Sequence, residues 1–115
     1  MAIEFRIDDE PVDDTTHVVS VTGEIDLFTA PEFKQRISAP IDAGCTRVIV
    51  DLLGVTFIDS SSLGVLIGAH KRLKLRDGGL VIVCEDRAIV NTFRITGLDG
   101  VFEIVSSRAD VVTTP

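Results

Sequence analysis

The sequence predicts a single α/β domain, a mostly parallel central sheet with one antiparallel strand at its amino-terminal end and helices between the later strands. Three observations predict it. Ile3, Phe5 and Ile7 alternate with Glu4, Arg6 and Asp8, the period-two pattern of a half-exposed strand. Arg47–Asp51 and Leu80–Val83 are short β-branched runs of the kind found in strands buried on both faces. Between such runs lie segments with helical spacing, so the strands they join must run parallel through right-handed crossovers.

The elements follow in order. The first strand, over 3–7, leads into an acidic turn from Asp8 to Asp14, read as a solvated loop. A second strand, from His17 to about Val21, completes an antiparallel hairpin. After Gly23-Glu24-Ile25-Asp26 a helix begins at Thr29 or Ala30, with Pro31 in its first turn. Phe33, Ile37 and Ile41 recur at helical spacing, Pro40 is expected to kink or interrupt the later part, and Gly44 closes it. The third strand is Arg47–Asp51. Ser60 to Arg76 reads as the second helix, with Lys71, Arg72, Lys74 and Arg76 complementing the dipole near its end. Asp77-Gly78-Gly79 terminates it and Leu80–Val83 forms the fourth strand. Glu85-Asp86 caps a third helix from about Arg87 to Thr96. Gly97 suits the left-handed position after a helix, and Leu98 is expected to pack back on Phe93. Val101–Val105 is the last strand, and 106–115 a short, weakly structured tail. One domain spans 1–115, without repeat, linker or low-complexity segment.

Composition narrows the function. The 115 residues suffice for one core, and 45% hydrophobic with 25% charged residues is ordinary for a soluble domain. Eleven basic against eighteen acidic residues give a net charge of −7, which disfavours phosphate backbones and anionic lipid. Neither nucleic acid nor membrane is therefore expected as a partner. Trp and Tyr are absent, and the six Phe read mostly as core. The longest apolar stretch, Leu63 to Ala69, is too short to span a bilayer. The opening MAIEFRIDDE lacks the basic start and apolar core of a signal peptide. The expected location is cytoplasmic, with Cys45 and Cys84 as reduced thiols of no metal-binding spacing. A disulfide between them is the alternative.

Chemistry in open α/β sheets gathers beyond the carboxyl ends of the parallel strands. The helical crossover brings Gly23-Glu24-Ile25-Asp26 and Phe57-Ile58-Asp59-Ser60-Ser61-Ser62-Leu63-Gly64 to that edge. Asp26, Asp59 and three serines are thus expected in one neighbourhood. One hydroxyl suffices to cap a helix, and no Glu or Gln stands where it would complete a capping box with Ser60. Capping alone explains one or two of these residues, which leaves a surplus. A serine nucleophile needs a base, yet His17 and His70 read as surface or core-edge histidines. No G-x-S-x-G elbow or phosphate-cradling glycine loop is present, and paired carboxylates without a third are a weak metal or acid–base signal. No catalytic residue, cofactor or metal is expected. A phosphorylation site fits better, because helix N-termini accept anions and a phosphate adds roughly −1.5 to −2 charges. The second helix is apolar nearly all round from Leu63 to Ala69. Either it leaves side chains for a partner or neighbouring helices bury them. Gly64 and Gly68, one turn apart, read as permitting close packing on the sheet.

The segment Gly23-Glu24-Ile25-Asp26-Leu27-Phe28-Thr29-Ala30-Pro31 resembles the GEIDxxTAP segment of bacterial anti-sigma factor antagonists, a STAS-domain family. Asp59-Ser60-Ser61-Ser62-Leu63-Gly64 resembles their phosphorylation motif, Asp-Ser-Ser/Thr-Gly-Leu-Gly, and Phe93-Arg94-Ile95-Thr96-Gly97-Leu98 their third-helix ending. The resemblance covers nearly the whole chain in the right order. It implies partner switching in transcription and stress response, carried out by a binding protein and not an enzyme. The unphosphorylated antagonist binds an anti-sigma factor that is also a serine kinase, and so frees the sigma factor. The kinase then phosphorylates the second hydroxyl residue of the motif, here Ser61, and a PP2C-type phosphatase reverses it. Asp26 matches the family's aspartate near the phosphoacceptor. The expected partner-binding residues are Asp26, Asp59, Ser60, Ser61, Ser62 and Leu63. Ser62 stands where the family has Gly, and is the second candidate acceptor. The alternatives are a STAS scaffold or sensor subunit that never switches, and a nucleotide-binding domain using the Asp26/Asp59 edge.

Overall fold

The structure, a computed structural model of the chain, describes residues 4–111. Its elements are β1 (Arg6–Pro11), β2 (Thr16–Ile25), α1 (Ala30–Asp42), β3 (Arg47–Ile58), α2 (Ser60–Lys74), β4 (Gly79–Val83), α3 (Arg87–Ile95) and β5 (Glu103–Val105). Short 3-10 turns follow at Leu98–Gly100 and Arg108–Asp110. The five strands lie in sequence order, β1 antiparallel to β2 and the others parallel. The expected α/β class and opening hairpin are both present. Ile3, the amino-terminal residues before it, and 112–115 of the expected tail lie outside the described residues.

Each crossover steps to the next strand in the same direction, so a common hand places the helices on one face of the sheet. Phe33 and Ile37 of α1, Leu66 and Leu73 of α2, and Ile89 and Phe93 of α3 pack there. They form one core with Val19, Val21, Val48, Val50 and Ile82. The opposite face carries a smaller buried cluster, Val18, Ile49, Val81 and Val83. Successive β3 residues are therefore buried on opposite sides, as the unbroken apolar run requires. Cys45 is half-buried and Cys84 buried; both are free, and burial raises both thiols above their usual range.

Several boundaries differ from expectation, each for a physical reason. The acidic run is not all loop, because β1 continues through Asp8, Asp9 and Glu10 to Pro11. An edge strand tolerates such charges, and here they have partners. Asp9 Oδ1 lies 2.8 Å from His17 Nε2, and Asp9 Oδ2 accepts from Arg36 Nε at 2.8 Å. Those two contacts hold the Asp9 carboxyl below the usual carboxylate range. Pro40 does not interrupt α1. It sits in the last turn, so its missing N–H removes a single bond near the end. Gly97 does adopt the left-handed conformation, φ 77°, and Leu98 packs against the core that contains Phe93.

The third strand is seven residues longer than the apolar run suggested, ending at Ile58 rather than Asp51. Its pairing with β2 shifts twice, between Ser20 and Thr22 and between Gly23 and Glu24, with β3 holding the extra residue each time. Gly23, at φ 88°, supplies the backbone conformation beside the second bulge. The inward residues of β3 thus become Leu52, Val55 and Ile58, three apart, while β2 keeps Val19, Val21 and Ile25 with its period of two. Leu53 and Phe57 are left facing solvent.

The segment expected to be a weakly structured tail is anchored as far as Val111. Arg108 Nε donates to the buried Asp51 at 2.6 Å, its Nη2 donates to Ser20 Oγ, and its Nη1 lies 3.5 Å from Glu10. Val105 and Val111 cover the Val18, Ile49, Val81 and Val83 cluster. An ion pair to a buried carboxylate and apolar cover explain why this stretch is ordered.

Candidate functional site

Ile25 and Ile58 are paired at the carboxyl ends of β2 and β3, so Asp26 and Asp59 are the next residues out on adjacent strands. Neighbouring strands run about 4.8 Å apart. The expected convergence of the two segments is therefore observed. Each aspartate organises its own turn. Asp26 Oδ1 accepts from the backbone N–H groups of Phe28 (2.9 Å) and Thr29 (3.1 Å), an Asx-type turn. Thr29 Oγ1 accepts from the Asp26 N–H at 2.9 Å. The turn leads directly into α1, and it turns Leu27 and Phe28 outward, 70% and 88% exposed.

Asp59, not Ser60, is the N-cap of α2. Its Oδ1 accepts from the N–H groups of Ser61 (3.0 Å) and Ser62 (3.2 Å) and from the Ser61 hydroxyl. The Ser61 hydroxyl, followed by the two amides, holds the Asp59 carboxyl below the usual carboxylate range. A capping box forms one residue earlier, on Asp59, with Ser62 as its second member: Ser62 Oγ accepts from the Asp59 N–H at 3.3 Å. A short hydroxyl at the third helical position does here what Glu or Gln does elsewhere.

The three serines consequently have three different situations. Ser60 is exposed in the first turn and Ser61 is half-buried, its hydroxyl on Asp59. Ser62 is fully buried, and its hydroxyl donates to the Ile25 carbonyl at the end of β2. That burial leaves the Ser62 hydroxyl no exposed surface. Its side chain instead ties the start of α2 to β2, a contact that glycine cannot make. Ser62→Gly is expected to destabilise the fold by about 1–2 kcal/mol, from the lost hydrogen bonds and the added backbone freedom. A urea titration at constant slope measures it.

Leu63, expected at the partner surface, is also buried, in the core with Leu66, Ala69 and Leu73. Of the two readings of this apolar helix, burial by neighbours holds, since Val65 and Ile67 also pack against the core. Gly64 and Gly68 do not pack on the sheet. Both are exposed, and a Cβ at either would meet nothing within 4 Å. They open a groove of about 510 Å³ between α1 and α2, bordered by Lys34, Ser38, Ser61 and Arg72.

The exposed apolar rim of the site is Leu27, Phe28 and Phe57, and sequence reasoning missed it by assigning most Phe to the core. Leu27 and Phe28 carried a usable signal, two large apolar residues between a turn aspartate and a helix start. Phe57 carried none, because its exposure depends on the β3 bulges. Neither histidine is near. His17 is held on Asp9, and His70, nine residues along α2 from Ser61, is about 13 Å away along the axis. Burial, with Lys74 adding to it, lowers the His70 pKa, and its ring meets Phe102 edge-on. Among the described residues no group of three His, Cys, Asp or Glu side chains converges to hold a metal. No described helix is long and apolar enough to cross a membrane.

Comparison with known proteins gives this arrangement a context. The STAS domain pattern matches residues 8–111. The anti-sigma-B factor antagonist of Listeria monocytogenes is 38% identical over 99 residues, 85% of this chain and 87% of that protein. Among solved structures, an anti-sigma factor antagonist from Mycobacterium paratuberculosis superposes with TM-score 0.85 at 31% identity, covering 93% and 90% of the two chains. The Bacillus cell fate determinant SpoIIAA in its phosphorylated form shares the fold, with TM-score 0.70 at 21% identity over 92% and 95%. The match spans residues 8–111, from within the first strand, past both aspartate turns, to the anchored carboxyl-terminal segment: the chain belongs to the STAS domain family.

Proposed function

We propose that the chain is an anti-sigma factor antagonist, a binding protein switched by phosphorylation of Ser61. The single observation that carries the reading is the placement of Ser61. Its hydroxyl stands half-buried at the start of α2, held by Asp59, while Ser62 is buried. The unphosphorylated form docks this face on an anti-sigma factor that is also a serine kinase, and the sigma factor is released. Asp26 and Asp59 shape the docking face, and Ser60 lies on it. In the switching step Ser61 Oγ bonds to the γ-phosphorus of a nucleoside triphosphate and the bridging P–O bond breaks. Nucleoside diphosphate leaves, and the hydroxyl proton departs by way of Asp59. A PP2C-type phosphatase hydrolyses the ester and restores the binding form.

One further point supports the reading. The relatives named above are antagonists of anti-sigma factors, and one fold neighbour exists in a phosphorylated form. The test is incubation with ATP and candidate kinases of the host, followed by mass spectrometry of residues 59–72. One phosphate on Ser61 is expected. Modification confined to Ser60, or none with a kinase that binds the chain, overturns the proposal.

A further inference from the structure

The groove beside Ser61 holds a cation that nothing above employs. α1 starts at Ala30 and α2 at Ser60, and both follow adjacent parallel strands, so residues thirty apart lie level. The Arg72–Asp42 ion pair at the far ends obeys this register. Lys34 is then level with Gly64, and Ser61 sits three residues nearer the open end, about 4.5 Å along the axis. Lys34 and Ser61 border the same groove. Among the described residues Lys34 has no ion-pair partner, and no carboxylate lines the groove. Gly64 and Gly68 leave the space between open.

Phosphorylation changes the local balance. An esterified Ser61 can no longer donate to Asp59, and its roughly −1.5 to −2 charges are repelled by Asp59 and by Asp26 on the next strand. The groove is the exit without a carboxylate, and Lys34 is the cation on its border that has no ion-pair partner among the described residues. We propose that Lys34 receives the phosphoryl group of phosphorylated Ser61, closing the mouth of the α1–α2 groove with an ion pair inside the chain. This deepens the reading of Ser61 as the acceptor and rests on it. The switched-off state would then differ in shape as well as charge, with the groove occupied by the chain's own phosphate.

The test uses the full chain with phosphoserine installed at position 61 during synthesis, so that no kinase is involved. The phosphate is titrated by ³¹P NMR in the parent protein and in Lys34→Gln, Lys34→Arg and Lys74→Gln variants. Free phosphoserine loses its second proton at about pH 6. In the parent protein and Lys34→Arg that step is expected about half a pH unit below its position in Lys34→Gln. Lys74→Gln, which removes equal charge at the far end of α2, should match the parent, and high salt should narrow the gap. Identical titrations for the parent and Lys34→Gln overturn the proposal, as does an equal shift in Lys74→Gln. Failure of any kinase to modify Ser61 would sink the acceptor reading and leave the titration result standing.

Discussion

Ser61→Asp is expected to weaken binding to the anti-sigma partner about 100-fold, equivalent to about 2.7 kcal/mol, while Ser61→Ala binds within a few-fold of the parent. The asymmetry follows from the geometry. Asp59 already carries a full negative charge, since its carboxyl lies below the usual range, and Asp26 follows the paired end of the next strand. A third carboxylate at the start of α2 must be desolvated on docking, and juxtaposed like charges at an interface cost several kcal/mol. Alanine adds no charge and leaves Asp59 its two backbone donors, so the α2 cap survives. Titration calorimetry at one stated ionic strength measures both variants. Equal affinity for the parent and the aspartate variant would sink the switch.

The second large effect belongs to the apolar rim. Phe28→Ala and Phe57→Ala are each expected to weaken partner binding about 30-fold, close to 2 kcal/mol, the scale of a buried aromatic anchor. Neither ring belongs to the core: Phe28 is 88% and Phe57 45% exposed. Their removal should therefore change folding stability by no more than about 0.5 kcal/mol. Parallel binding and thermal unfolding measurements separate the two quantities. Unchanged affinity for both variants places the docking face elsewhere on the molecule.

Much of the fold was legible because local patterns and tertiary structure agree. The β-branched runs of β3 and β4 and the Gly97 helix ending each report a backbone state that the structure adopts, whereas the alternation over 3–7 overlaps β1 only at Arg6 and Ile7. The meeting of Asp26 with Asp59 followed from topology alone. What escaped notice depends on non-local pairing. Two bulges in β3 space its inward residues three apart, a pattern that reads as neither strand nor helix, so residues 52–58 lost their strand identity. The length of β1 depended on His17, Arg36 and Arg108 to receive its acids. The serine run was ambiguous for a similar reason. Only the Ile25 carbonyl, thirty-seven residues away, shows that Ser62 is a buried tether, distinct from Ser61 with its hydroxyl on Asp59.

The carboxyl-terminal anchor bears on where this domain can be cut. A truncated protein ending at Val105 would keep every helix and strand of the sheet. It would lose Arg108 from Asp51 and the cover that Val111 gives the opposite face. Val18, Ile49, Val81 and Val83 would keep only Val105 as cover, and Asp51 would lose its ion-pair partner. The shortened protein should fold and then self-associate through that face, visible by light scattering as a concentration-dependent rise in mass. For this domain the last strand is therefore not the boundary, and a working boundary lies beyond Val111.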